Sequence, residues 1–164
     1  MATQVQFRRG TTSQHGSFTG AVGEVTVDTD KDTVVVHDGS QAGGFAIPNL
    51  KTAQEFTKTQ NFNATTLSDA STIAWDASSN QVAKVTLGGN RTLGAATNQV
   101  DGAVYVLTVI QDGSGSRTLS FNSNYKFTGG SAPTLSTAAS ATDVLVFLSN
   151  GTNMLEIGRS LNVS

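Results

Sequence analysis

Three carboxylates spaced two apart, Asp28, Asp30 and Asp32, are the first residues whose type and spacing could do chemistry, because a D-x-D-x-D run opens a calcium loop. Such a loop also needs glycine at its sixth position and a bidentate glutamate at its twelfth. Thr33 and Gly39 stand there instead, so the run reads as a charged hairpin tip and no metal is expected. For nucleophilic catalysis the chain offers His15, His37 and many serines, but no serine lies in a G-x-S-x-G elbow. His37 ends a strand before Asp38-Gly39 and reads as a surface residue; His15 falls in a polar loop and receives no catalytic role. Glycoside hydrolysis needs two positioned carboxylates. The C-terminal half holds Asp69, Asp76, Asp101, Asp112, Asp143 and Glu156, of which Asp101 and Asp112 sit in Asp-Gly turns and Asp76 in a polar turn. Gly88-Gly89 and Gly113-Ser114-Gly115 lack the lysine and following helix of a phosphate loop. No catalytic residue, cofactor or metal site is assigned.

The elements around these residues are strands. The 164 residues include 17 Gly, 2 Pro and no Cys, and 13% are charged, against about 25% in an average globular protein. Without cysteine there is no disulfide framework, thiolate metal site or cysteine nucleophile. A net charge of -2 leaves no basic excess to neutralise phosphates, so nucleic acid is not an expected partner. The longest nearly apolar run, 103–110, falls far short of the roughly 20 residues of a membrane span, so no membrane insertion is expected. Met1 to Gln4 lead straight into alternating sequence, which predicts no secretory signal and synthesis in the cytosol of the producing cell.

Val5 and Phe7 alternate with Gln4, Gln6 and Arg8, the period of a half-buried strand that stops at Gly10-Thr11-Thr12. Residues 24–28 and 33–37 form a hairpin around the polar tip Thr29-Asp30-Lys31-Asp32. Gly43-Gly44 and Pro48 end this region, so residues 1–48 read as a small N-terminal β-module and 49–65 as a linker with a turn or two of helix at 51–58. From residue 66 to 164, short strands recur at 72–75, 81–87, 91–93, 103–110, 117–121, 125–127, 143–148 and 154–158, separated by Gly- and Asn-rich turns. Eight strands at this spacing predict a jelly-roll-like β-sandwich, and the whole chain is all-β. The runs 104–110 and 144–148 are apolar on both faces and need cover on both sides. That cover is either the second layer of a sandwich or a neighbouring subunit; in so small a chain a subunit contact is expected as the second cover, with Tyr105, Leu107, Val109, Leu145 and Phe147 as the candidate interface.

The segments Phe7-Arg8-Arg9-Gly10-Thr11-Thr12, Phe18-Thr19-Gly20-Ala21-Val22-Gly23-Glu24 and 27–39, followed by Gly43-Gly44, resemble the N-terminal module of tailed-phage virion surface proteins of the tail-fibre and major-tropism-determinant kind. Leu87-Gly88-Gly89-Asn90-Arg91-Thr92-Leu93, Arg117-Thr118-Leu119-Ser120-Phe121, Tyr125-Lys126-Phe127 and Ser149-Asn150-Gly151-Thr152-Asn153 resemble a β-domain recurrent in phage appendages. The resemblance implies a non-enzymatic homotrimer on the virion surface, assembled in the host cytoplasm. Its partners would be the major capsid protein or tail proteins. The chain has no coiled-coil heptads and no repeat shaft, which ranks a trimeric capsid decoration (cement) protein first. The alternative is a short tail fibre or receptor-binding protein recognising a host surface glycan or protein. The attachment surface expected from the resemblance comprises Arg8, Arg9, Glu24, Asp28, Asp30, Lys31, Asp32 and His37.

Overall fold

Alternating valines and threonines favour extended chain, and in the computed structural model, which describes residues 5–48, 58–79 and 81–163, the regular secondary structure is almost all strand, joined by turns and loops. It divides into two units, residues 1–60 and 61–164. Most of the expected linker, with its predicted helical turns, lies outside the described residues.

The first unit is one four-stranded sheet in the order β1-β2-β3-β4: β1 (Arg8–Gly10), β2 (Val25–Asp28), β3 (Thr33–Val36) and β4 (Phe45–Ala46). β2 and β3 are the expected hairpin, pairing Val25 with Val36 and Asp28 with Thr33. β1 runs parallel to β2, so the chain must return between them. Part of that return is α1 (Thr12–Gly16), a single helical turn where the sequence reading expects a loop. A capping box starts it: the Thr11 hydroxyl accepts from the Gln14 N–H, and the Gln14 side-chain oxygen accepts from the Thr11 N–H.

The second unit has two sheets. The larger has the order β11-β13-β12-β9-β7-β5, from β5 (Thr65–Thr66), β7 (Val82–Leu87), β9 (Val104–Gln111), β11 (Tyr125–Lys126), β12 (Thr142–Ser149) and β13 (Met154–Ser160). The smaller has the order β10-β8-β6, from β6 (Thr72–Ile73), β8 (Arg91–Leu93) and β10 (Leu119–Phe121). From β5 to β10 the chain passes alternately from one sheet to the other, and neighbours within each sheet run parallel. Each strand of the small sheet therefore lies on the crossover that two parallel strands of the large sheet require. β12 then returns antiparallel to β9, β13 runs antiparallel to β12, and β11 joins β13 in parallel.

This winding corrects the jelly-roll expectation, since a jelly roll is built from antiparallel Greek keys. The predicted strands exist, but alternation of side chains reports which residues face inward and is silent about strand direction. Thr65 lies beside Ala83 and Ala83 beside Leu107, so successive turns differ in length and leave no sequence repeat.

One core fills the space between the two sheets. Ile73 and Leu93 of the small sheet meet Val85 and Leu87 of β7, Leu107 of β9, Leu145 and Phe147 of β12, and Met154 of β13, all buried. Trp75 stands edge-on to Tyr105, and Phe121, Tyr125, Phe127 and Phe147 make a chain of edge-to-face contacts.

Candidate functional site

The first unit has a polar interior. β2 and β3 turn Thr26, Asp28, Thr33, Val35 and His37 inward, against α1 and the loop after it. His37 Nδ1 accepts from the Gly20 N–H at 3.3 Å, so the ring proton sits on Nε2, which donates to the Thr26 hydroxyl at 2.9 Å. The Thr26 hydroxyl in turn donates to His15 Nε2 at 2.9 Å, and His15 Nδ1 donates to the Thr11 carbonyl at 3.0 Å. For neutral rings, donors and acceptors match in this one direction only. A Cβ on Gly20 would stand 2.6 Å from His37 Cγ, and one on Gly44 would stand 2.7 Å from His37 Nδ1, so two glycines make room for this ring.

Asp28 accepts from the Thr12 hydroxyl at 2.7 Å and from the backbone N–H groups of Asp30 and Lys31. Burial works to raise its pKa, but these hydrogen bonds outweigh burial and hold it below the usual carboxylate value. Asp28 and His37 are thus corrections to the expected attachment surface: both are buried and shape the hairpin from inside. Arg8, Arg9, Asp30, Lys31 and Asp32 are exposed, and Glu24 is half-buried. Arg8 pairs with Glu24 at 2.8 Å and lies 4.9 Å from the centre of the Phe18 ring. Among the described residues no group of three or more His, Cys, Asp or Glu is placed to hold a metal ion.

The opposite face of this sheet is apolar. Register puts Val25 beside Val36 and Val36 beside Phe45, and Val27 beside Val34, with Arg9 on the same side. Phe45 is 57% exposed and Ile47 50%.

The second unit repeats this division. Tyr105, Leu107, Val109, Leu145 and Phe147, the expected subunit interface, all point into the chain's own core and are at most 1% exposed. They are therefore unable to meet a neighbour. Pairing in β9 and β12 alternates faces, and the outer face carries Val104, Val106, Ile110, Val144, Val146 and Leu148, half-buried or exposed. A bulge between Val146 and Phe147 leaves Ile157 of β13 unpaired and 56% exposed on this sheet. The sequence presents both faces of these strands as apolar, and the second sheet decides which set lies inside.

The two ends of this unit differ chemically. At one end Asp69 holds Arg91 through two hydrogen bonds, at 2.7 and 2.8 Å, and Asp112 holds Arg117 at 2.8 and 3.0 Å. The Arg91 guanidinium keeps Asp69 below the ordinary carboxylate pKa, and Arg117 does the same for Asp112. Asp143 is buried and accepts from the backbone and hydroxyl of Ser136 and from the Asn162 N–H. Glu156 accepts from Arg159 and from the Thr128 N–H. These carboxylates tie loops to strands.

At the other end the N-termini of β7 and β9 meet the entering chain around a groove of about 690 Å³, lined by Asn61, Phe62, Asn63, Ala77, Ser78, Ser79, Gln81, Val100, Ala103 and Tyr105. The Tyr105 hydroxyl accepts from the Val100 N–H at 3.0 Å and Gln81 Nε2 donates to the Val104 carbonyl at 3.1 Å, which fixes two walls. Asp76 shapes the third by accepting from the Ser78 N–H and hydroxyl and from Asn98. No sequence pattern signals this groove, because its residues are polar turn formers scattered over three loops.

Comparison with known proteins places these surfaces in context. Residues 5–41 match the major tropism determinant N-terminal domain family, and residues 50–154 match the putative phage tail fibre C-terminal domain family. The tail fiber receptor-binding protein of Bordetella phage BPP-1 is 53% identical over 75 residues, which cover 39% of this chain and 20% of that protein. The chain thus spans a fraction of that relative's length. Among solved structures, the I1 variant of the major tropism determinant is 69% identical over 27% of this chain and 12% of its own, with a TM-score of 0.27. The U1 variant is 27% identical over 93% of this chain and 42% of its own, with a TM-score of 0.30.

Proposed function

Because the chain belongs to the putative phage tail fibre C-terminal domain family, we propose that it is a non-enzymatic tail-fibre protein on the virion surface that binds a host receptor. The match supports the tail-fibre alternative and gives no support to the capsid-decoration reading, whose only ground over that alternative is the missing shaft. The observation that carries the proposal is the tandem order of the two family matches, a tropism-determinant N-terminal module followed by a tail fibre domain. Receptor binding is the activity in the name of the Bordetella phage relative and comes to this chain by that likeness. The involvement of Asp69, Asp112, Asp143 and Glu156 in structural hydrogen bonds supports a role without catalysis.

In this reading the N-terminal unit attaches to a tail protein through exposed charges at Arg8, Arg9, Asp30, Lys31 and Asp32, which set register more than affinity. The protein acts as a homotrimer. The apolar outer faces, Val25, Val27, Val34, Val36 and Phe45 in one unit and Val106, Ile110, Val144, Val146 and Leu148 in the other, support this, since exposed patches of this kind mark protein contacts. Three receptor sites on one body would turn weak single contacts into firm adhesion.

The test mixes purified protein with isolated tails, with DNA-filled tailless heads and with host cells. Saturable binding to tails, and competition with phage for adsorption to cells, is the expected result. Binding to heads alone refutes the proposal.

A further inference from the structure

We propose that the groove at the amide-rich end of the C-terminal unit is a binding site for an uncharged saccharide, an inference that rests on the receptor-binding reading and names its ligand class. Three features of the groove select that chemistry. No carboxylate, ammonium or guanidinium group lines it, and the nearby Asp76 carboxylate is already engaged by Ser78 and Asn98. A charged ligand would lose hydration there without gaining a counter-charge, and that loss is costly.

Its polar lining also suits hydroxyl groups. Asn61, Asn63 and Ser79 make no side-chain hydrogen bond among the described residues, and Gln81, anchored through Nε2, keeps its carbonyl oxygen available. An amide side chain carries both donors and acceptors, and each sugar hydroxyl likewise does both, so adjacent hydroxyls and amides can satisfy one another in pairs. Apolar contact completes the set: Phe62 is 60% and Val100 62% exposed at the groove, an aromatic and an aliphatic surface for the C–H face of a pyranose ring. The volume, about 690 Å³, lies within the range of small-ligand sites, roughly 300–1,000 Å³. Its walls belong to one compact unit, so no assembly step is needed to form it.

The test uses the full chain on an array of neutral hexose and N-acetylhexosamine oligosaccharides printed beside sialylated and phosphorylated ones, with Phe62→Ala and Asn63→Ala as variants. The expected result is binding to one or more neutral oligosaccharides, weakened at least tenfold by Phe62→Ala and severalfold by Asn63→Ala. Melting temperature should hold, since Phe62 is mostly exposed. Binding confined to charged glycans, no binding to neutral ones at millimolar concentration, or unchanged binding by Phe62→Ala overturns the proposal. Host cells separate this failure from that of the parent reading. If wild-type protein and Phe62→Ala block phage adsorption equally, and protease but not periodate treatment of the cells removes the effect, the groove is wrong and receptor binding stands. If neither protein competes, receptor binding fails as well.

Discussion

Replacing Thr26 by valine keeps the side-chain volume and removes one hydroxyl, the hydrogen-bonded link between His15 and His37. Thr26 is fully buried and its oxygen stands 2.9 Å from a ring nitrogen of each histidine. Valine would leave the His37 Nε2–H and the lone pair of His15 Nε2 without partners in a site closed to water. A buried polar group left unsatisfied costs about 1–3 kcal/mol, so the pair costs about 2–6 kcal/mol, comparable with the roughly 5–15 kcal/mol that holds a whole domain together. Thr26→Ser keeps the hydroxyl and loses one methyl, about 1 kcal/mol. Hydrogen exchange at the Gly20 and His37 backbone N–H groups measures the effect, because these bonds close the loop and the β2–β3 pairing around the rings. Thr26→Val should exchange at least about fivefold faster than Thr26→Ser, since the two costs differ by at least about 1 kcal/mol and 1.4 kcal/mol is a factor of ten. The single tryptophan, Trp75, is buried in the other unit, so its fluorescence serves as an internal control that should not change. Exchange in Thr26→Val within threefold of Thr26→Ser would refute the directional chain of hydrogen bonds.

Three further outcomes follow from the same geometry. Val146→Lys on the outer face of β12 should dissociate the proposed homotrimer, read by light scattering, while leaving a folded chain; Phe147→Lys, one residue on and facing the core, should instead prevent folding, read by circular dichroism. Gly20→Ala drives a methyl against His37 and should lower protection of the first unit as Thr26→Val does, whereas Gly16→Ala, with open space around it, should not. Asp69 and Asp112 have folded-state pKa values below the ordinary carboxylate value, chiefly through hydrogen bonds from Arg91 and Arg117. A depressed carboxylate contributes stability that is complete above its unfolded pKa and is lost as pH falls through the folded one. Denaturant midpoints of the second unit should therefore decline below about pH 4, and an Asp69→Asn, Asp112→Asn double variant should show a shallower decline.

Much of the fold was legible in the residues themselves. The period of two in 25–28 and 33–36, with four polar residues between, specifies a hairpin locally, and the short strands from 72 to 160 announced themselves by apolar runs between Gly and Asn turns. Even the missed helix was written there, as Thr11 and Gln14 in capping-box spacing. Local chemistry suffices for such features because the groups that make them are neighbours in the chain. Direction and partner choice are different. Whether β7 runs with or against β9 is decided by where the chain goes between them, and here it goes through a second sheet. That sheet also decides that Leu107 and Phe147 are core while Val106 and Val146 face outward, two sets the sequence presents as equals. His37 followed the same rule: beside Asp38-Gly39 it reads as a strand end at the surface, and only the approach of Gly20, Gly44 and Thr26 from distant positions makes it the buried centre of a unit. The groove at the amide-rich end is the extreme case, since residues from 61 to 105 become one surface only when the winding brings three loops to the same end. Sequence determined what each segment is; tertiary structure decided what each segment faces, because facing depends on contacts between residues far apart along the chain.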